Sequence, residues 1–265
     1  MVKKLYKHEL SAYWRIALPM WGILLVVSLL GRVVQFFEFD YFVYDIVNTS
    51  SIIFYVIAVL VALVFPMVFA IIRFYKNLFT GEGYLSFTLP VTVSQHITVK
   101  VLGAMTIALL SFFVALMSLC VITAGDVLVE LWKAGIYILN SLNNEIGAHL
   151  WWLMAEAVVL LLVLLVSQTL YYDTCISLGQ LFRKNRVLAA VGVYFGFYVI
   201  GQVFSTIMVI IAMFTDWEGL TRWIDKHPFV ALHGGMCGLI VFGIIACVVE
   251  YLVTYLVIRR RLNLE

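Results

Sequence analysis

The chain has 265 residues, of which 64% are hydrophobic and only 12% charged, with a net charge of +2. A globular domain carries roughly 45–50% apolar and about 25% charged residues, so this composition excludes a soluble enzyme, a disordered regulator and a nucleic-acid binder. What remains is a polytopic membrane protein, in which the placement of charge says more than its total.

Six apolar runs are long enough to cross a ~30 Å hydrocarbon core, which takes roughly 20 helical residues. They fall at about 16–34, 52–72, 97–124, 150–176, 187–214 and 229–258. The runs are continuous rather than alternating, which selects helices over a barrel. The expected fold class is therefore all-α, a single transmembrane domain over 1–265.

Before the first run, residues 1–15 interleave Leu5, Leu10 and Tyr13 with Lys3, Lys4, Lys7, His8 and Glu9. This reads as a basic amphipathic helix on the inner leaflet, or as a plain positive flank. The long run behind it, with no small-residue cleavage site, argues against a cleaved signal peptide. Aromatic residues from Phe36 to Tyr44, and Trp151 with Trp152, mark membrane interfaces.

The connection over 73–96 is longer than a turn needs. It is partly apolar, broken by Gly81, Gly83 and Pro90, and ends in a Thr92/Gln95 capping box that starts the third span. Such a loop has apolar surface to dock on lipid or on a partner protein. Two further non-spanning segments are expected as outer interfacial helices. Residues 126–147 carry apolar residues at helical spacing. Residues 215–228 open on a Thr215/Glu218 capping box, with Pro228 stopping the segment before the sixth span.

Lys and Arg set the orientation. Thirteen of the 17 lie before the first span, between the second and third, between the fourth and fifth, and after the sixth. Only Arg32, Lys133, Arg222 and Lys226 lie on the other side, where nine acidic residues gather. Both termini are expected in the cytoplasm.

No P-loop, HExxH or GxSxG motif occurs, so the chain offers no self-sufficient catalytic site and no nucleotide site of its own. The five histidines lack metal-ligand spacing, and no metal site is expected. Cys120, Cys175, Cys237 and Cys247 sit inside apolar runs as small hydrophobes. Ionisable and amide residues inside spans are functional candidates by default: Glu156, Gln168, Asp173, Gln202 and Glu250 could line a substrate path or serve as interhelical glue. Gln202 is expected to be buried. Gly192 and Gly196 make a GxxxG step, with Gly201 beyond, that allows close helix packing within the chain or across a dimer.

With these residues in view, the chain resembles the membrane (permease) subunit of a type-2 ATP-binding-cassette (ABC-2-type) exporter. The resemblance rests on the whole plan and on one local pattern after the second span: Glu82, Leu89-Pro90, Val91, Thr92 or Ser94, and Lys100. The stretch from Asn77 to Leu85 is similar to small bacterial permeases whose genes neighbour a separate ATPase. The resemblance implies two permease copies, as a homodimer or a related heterodimer, with two copies of an ATPase that binds ATP and Mg. It implies that the segment from Gly81 to Thr92 is a coupling helix docked on the ATPase, with Glu82, Tyr84, Leu85 and Phe87 as its contacts. Gly81 and Gly83 would supply a sharp reversal before it; Leu89 and Pro90 would end it. The implied location is the cell membrane of a bacterium. The apolar, aromatic interior suits a peptide, lipid-like compound or drug moved outward. The rival expectation is a membrane protein outside this family, such as a secondary carrier or a sensor accessory subunit.

Overall fold

The computed structural model describes residues 2–37, 42–88, 90–182, 184–215 and 217–261. Helices account for almost all of them. In chain order they are α1 (Val2–Phe36), α2 (Phe42–Phe79), α3 (Gly81–Thr88), α4 (Val93–Ile122), α5 (Asp126–Ile146), α6 (His149–Gly179), α7 (Arg186–Met213), α8 (Trp217–Lys226) and α9 (Pro228–Arg261). Six of these, α1, α2, α4, α6, α7 and α9, are long and apolar enough to cross a membrane. The fold is an all-α polytopic membrane fold.

The helices form two compact units. The first holds 1–74 and 90–145, the second 75–89 and 146–265.

In the first unit, α1 is one unbroken helix of 35 residues, about 52 Å long at 1.5 Å per residue. This corrects the expectation of a separate amphipathic helix over 1–15. The N-terminal residues continue the first span, and Pro19 sits inside the helix without ending it. The reason lies in one stripe. Glu9, Tyr13, Ala17, Trp21, Leu24, Ser28 and Gly31 recur every three or four residues and are all buried, so the helix gains by holding one register from end to end. Tyr13, Ala17 and Trp21 pack with Ile107 of α4; Leu24 packs with Tyr55 and Ala62 of α2 and Ile122 of α4. Gly103 lets α1 approach α4: a Cβ there would lie 3.3 Å from Glu9 Cγ and 3.4 Å from the Tyr13 ring. Two hydrogen bonds tie α4 in place. Trp21 Nε1–H donates to Ser111 Oγ at 3.0 Å, and the Tyr55 and Ser118 hydroxyls meet at 3.2 Å. Such bonds are well placed where no water competes for the groups.

In the second unit, α6 and α9 pack along their length, α7 lies on α6, and α8 touches the start of α9. Two glycines set the closest approaches. A Cβ on Gly243 would fall 2.7 Å from Val163 Cγ1, and one on Gly179 would fall 2.6–2.7 Å from Ala190. Tyr171, Tyr194 and Phe197 join α6 to α7 through tilted and edge-on ring contacts. Among the described residues α5, α7 and α8 bury none.

The two outer segments form helices, but the start of α8 differs from expectation. It begins at Trp217, which makes Glu218 its second residue, and the Thr215 hydroxyl donates back to the Ile211 carbonyl at 3.2 Å. The final turn of α7 has captured the expected cap. Pro228 is the first residue of α9, where its missing N–H is not needed. The thiols also divide: Cys175 is buried, Cys120 and Cys247 are half-buried, and Cys237 is exposed.

Candidate functional site

Three polar regions stand out against the apolar background. The first is the connection after the second span. Helix α2 runs to Phe79, and the chain bends at Thr80, whose hydroxyl donates to the Lys76 carbonyl at 2.6 Å. Gly81 and Gly83 do not form the reversal expected of them. Both lie inside α3, and neither has a positive φ. Gly83 is buried, while nothing lies within 4 Å of a Cβ on Gly81. Glu82 and Tyr84 project from the surface, Tyr84 with 57% of its area exposed. The side chains of Leu85 and Phe87, and all of Leu89, lie outside the described residues. Pro90 follows α3, and the expected capping box then starts α4: Thr92 Oγ1 accepts from the Gln95 N–H at 3.3 Å, and Gln95 Oε1 accepts from the Thr92 N–H at 3.2 Å.

The second region is the α6–α9 seam. Glu156, Ser167 and Thr174 of α6 all engage α9. His233 Nδ1 lies 2.9 Å from Glu156 Oε1, and the His149 and His233 rings meet at 3.1 Å between Nδ1 and Nε2. Cys237 Sγ lies 4.0 Å from Glu156 Oε1. Deeper along the pair, Ser167 Oγ donates to the Glu250 carboxylate at 3.1 Å. Thr174 then meets the Thr254 hydroxyl and the Glu250 carbonyl, both at 3.0 Å. Asp173 is buried one residue before Thr174. Helix periodicity places the α6 residues on one face, but spacing alone does not disclose their α9 partners. His233 follows Glu156 by 77 residues, so nothing local marks the pair.

Two amides stand apart. Gln168 bonds the Tyr172 hydroxyl one turn along its own helix. Gln202 is exposed, correcting the expectation of burial, because α7 lies on α6 by another face. Gly192, Gly196 and Gly201 are likewise unfilled: no described residue lies within 4 Å of a Cβ on any of them. Among the described residues they serve no packing between helices.

The third region escaped the sequence reading. Glu9 of α1 accepts a bidentate contact from Arg73 of α2, with Nε–Oε1 at 2.7 Å and Nη2–Oε2 at 3.0 Å. Lys100 Nζ of α4 reaches the same carboxylate at 3.3 Å. The planar guanidinium matches the carboxylate fork, so the three helices are clamped at one point. A signal was present: Glu9 falls on the same stripe as Tyr13, Ala17 and Trp21, and an acid on a buried stripe needs a cation.

The first unit also contains an apolar cleft of about 480 Å³ between α1 and α2, lined by residues such as Met20, Leu24, Val27, Phe54 and Ala62. No group of three or more His, Cys, Asp or Glu arranged to hold a metal ion occurs among the described residues. Compared with known proteins, the chain matches no family model, no curated protein and no solved structure.

Proposed function

We propose that the chain is the permease subunit of an ABC-2-type exporter that works with a separate ATPase to move a hydrophobic or amphipathic substrate outward across a bacterial cell membrane. The observation that carries this reading is α3. A short helix, set off by a bend at Thr80 and by Pro90, presents Glu82 and Tyr84 to a partner between two spans. The chain itself carries no nucleotide-binding motif, so the energy must come from outside. Both termini and α3 lie in the cytoplasm on this reading, by the bias of Lys and Arg. The apolar cleft of the first unit, within the 300–1,000 Å³ usual for ligand sites, suits a greasy substrate. The unfilled Gly192/Gly196 step of α7 is available to a second permease copy, and Gly201 beyond it is unfilled too.

Co-purification from native membranes tests the proposal. An ATPase recovered at equal stoichiometry supports it, and recovery of the chain without one overturns it. In the reconstituted complex, Glu82→Lys should leave the permease folded but weaken ATPase docking by about 2 kcal/mol, roughly thirtyfold. If α3 merely rests on anionic lipid, the same change is harmless.

A second reading, a secondary carrier, is favoured by one observation: two carboxylates within the spans, Glu156 and Glu250, that face no cationic Lys or Arg among the described residues. Transport by the purified chain alone, driven by an ion gradient, would select it.

A further inference from the structure

We propose that His149, His233 and Glu156 form a proton relay that carries a proton from the mouth of α6 to Glu156. The inference rests on the hydrogen-bond geometry of the α6–α9 seam and stands apart from the exporter and carrier readings alike.

The three groups form a graded series. His149 is the first residue of α6 and is exposed; the His233 and Glu156 side chains are 23% and 19% exposed. Glu156 lies seven residues beyond His149, about 10 Å deeper along the helix. The His149 ring is held by stacking on Phe229 of α9, with centroids 4.2 Å apart.

The direction of the chain follows from donor and acceptor chemistry. An ionised Glu156 only accepts, so His233 Nδ1 carries the hydrogen of the 2.9 Å bond. In neutral His233 the other nitrogen, Nε2, is then a lone pair. It accepts from His149 Nδ1–H across 3.1 Å. The free nitrogen of His149, Nε2, is a lone pair at the exposed end. Every bond therefore donates towards Glu156.

A proton that binds His149 Nε2 makes that ring an imidazolium. The Nδ1 proton of His149 passes to His233 Nε2, and the Nδ1 proton of His233 passes to Glu156 Oε1. Each ring ends neutral, with its hydrogen on Nε2, and Glu156 ends as a carboxylic acid. One proton has entered, no electrons have moved, and both hydrogen bonds now point the other way. Run backwards, the same hops release the proton at His149; a second proton can follow inward only after the first leaves Glu156 by its second oxygen and both rings turn back. That atom, Oε2, is buried and has no hydrogen-bond partner.

The surroundings suit this role. Cys237 Sγ of α9 is 4.0 Å from Oε1 and is a weak donor. No Lys, Arg, Asp or Glu of α7 or α8 bonds to the three groups among the described residues, so no fixed cation holds Glu156 ionised. Glu9 is clamped by the fixed cation of Arg73; Glu156 has an imidazole instead.

Infrared difference spectroscopy on the full chain in lipid nanodiscs, after a rapid acid jump, tests the relay. The background carries Glu250→Gln, so that Glu250 adds no signal. A carbonyl stretch of protonated carboxyl should appear and should vanish in Glu156→Gln. His149→Gln, a change at an exposed position with the fold checked by its unfolding midpoint, should slow its appearance about a hundredfold, the scale of a lost proton-transfer group, without changing its final amplitude. A static ion pair would behave differently: the proton would stay on His233 as an imidazolium, no carboxyl band would rise, and His149→Gln would be silent. That result overturns the relay, as does a band that survives Glu156→Gln or an unchanged rate in His149→Gln.

Discussion

The two units treat buried charge in opposite ways. In the first, Glu9 meets Arg73 in a two-toothed contact and Lys100 on its flank, all three largely out of solvent. In the second, among the described residues Glu156 and Glu250 meet partners that can be neutral: His233 and Cys237 for Glu156, and the Ser167 hydroxyl for Glu250. A carboxylate between two cations stays ionised and joins helices. A carboxylate beside an imidazole or hydroxyl can gain or lose a proton without leaving a cation stranded. The contrast separates a structural clamp from a site able to change state. Packing follows the same division. Helix α1 buries a stripe along its length, whereas α7 buries nothing among the described residues.

The comparison is most exposed at Glu9. Glu9→Gln removes the carboxylate that Arg73 and Lys100 share, and should cost about 3–5 kcal/mol, the usual penalty for removing one member of a buried ionic cluster. The unfolding midpoint in detergent measures it. Glu250→Gln should change stability by less than about 1 kcal/mol, because the Ser167 hydroxyl can still donate to the amide oxygen. Equal losses in the two variants would erase the distinction between clamp and site.

Glycine substitutions test the packing half. Gly179→Leu must push a side chain against the Ala190 backbone, 2.7 Å from the nearest added atom, and should cost about 1–3 kcal/mol through overpacking. At Gly196 a Cβ meets no described residue within 4 Å, so Gly196→Leu starts into open space. It should leave the isolated chain's stability unchanged and weaken only association with a second copy. Native mass spectrometry and thermal unfolding together separate these effects. A stable Gly179→Leu, or a destabilised Gly196→Leu monomer, would contradict the packing described.

A smaller effect lies inside the first unit. Trp21→Phe keeps an aromatic ring in the core but deprives Ser111 of its donor, and should cost about 1 kcal/mol. The smallest concerns thiols. A lipid-soluble maleimide should label Cys237 in the folded chain and leave Cys175 unmodified until unfolding, following their exposure. Mass spectrometry of the labelled peptides reads this directly.

The six long helices were legible in the chain because each is a local property: a run of about 20 apolar residues has one stable form in hydrocarbon. The capping box at Thr92 was legible for the same reason, since its two partners lie three residues apart. The expected cap at Thr215 failed because the preceding helix offered its hydroxyl a carbonyl at Ile211 first.

What local pattern could not convey is partnership between distant segments. Glu9 has its cations 64 and 91 residues away, and Glu156 has its histidine 77 residues away. The glycines show it most plainly. Gly192 and Gly196 had the spacing of a packing motif, yet no described residue fills them, while isolated Gly103, Gly179 and Gly243 hold helices together. Spacing along one helix defines a face; only the neighbouring helix, brought there by the whole pattern of apolar burial, determines whether that face is filled and which charge it meets.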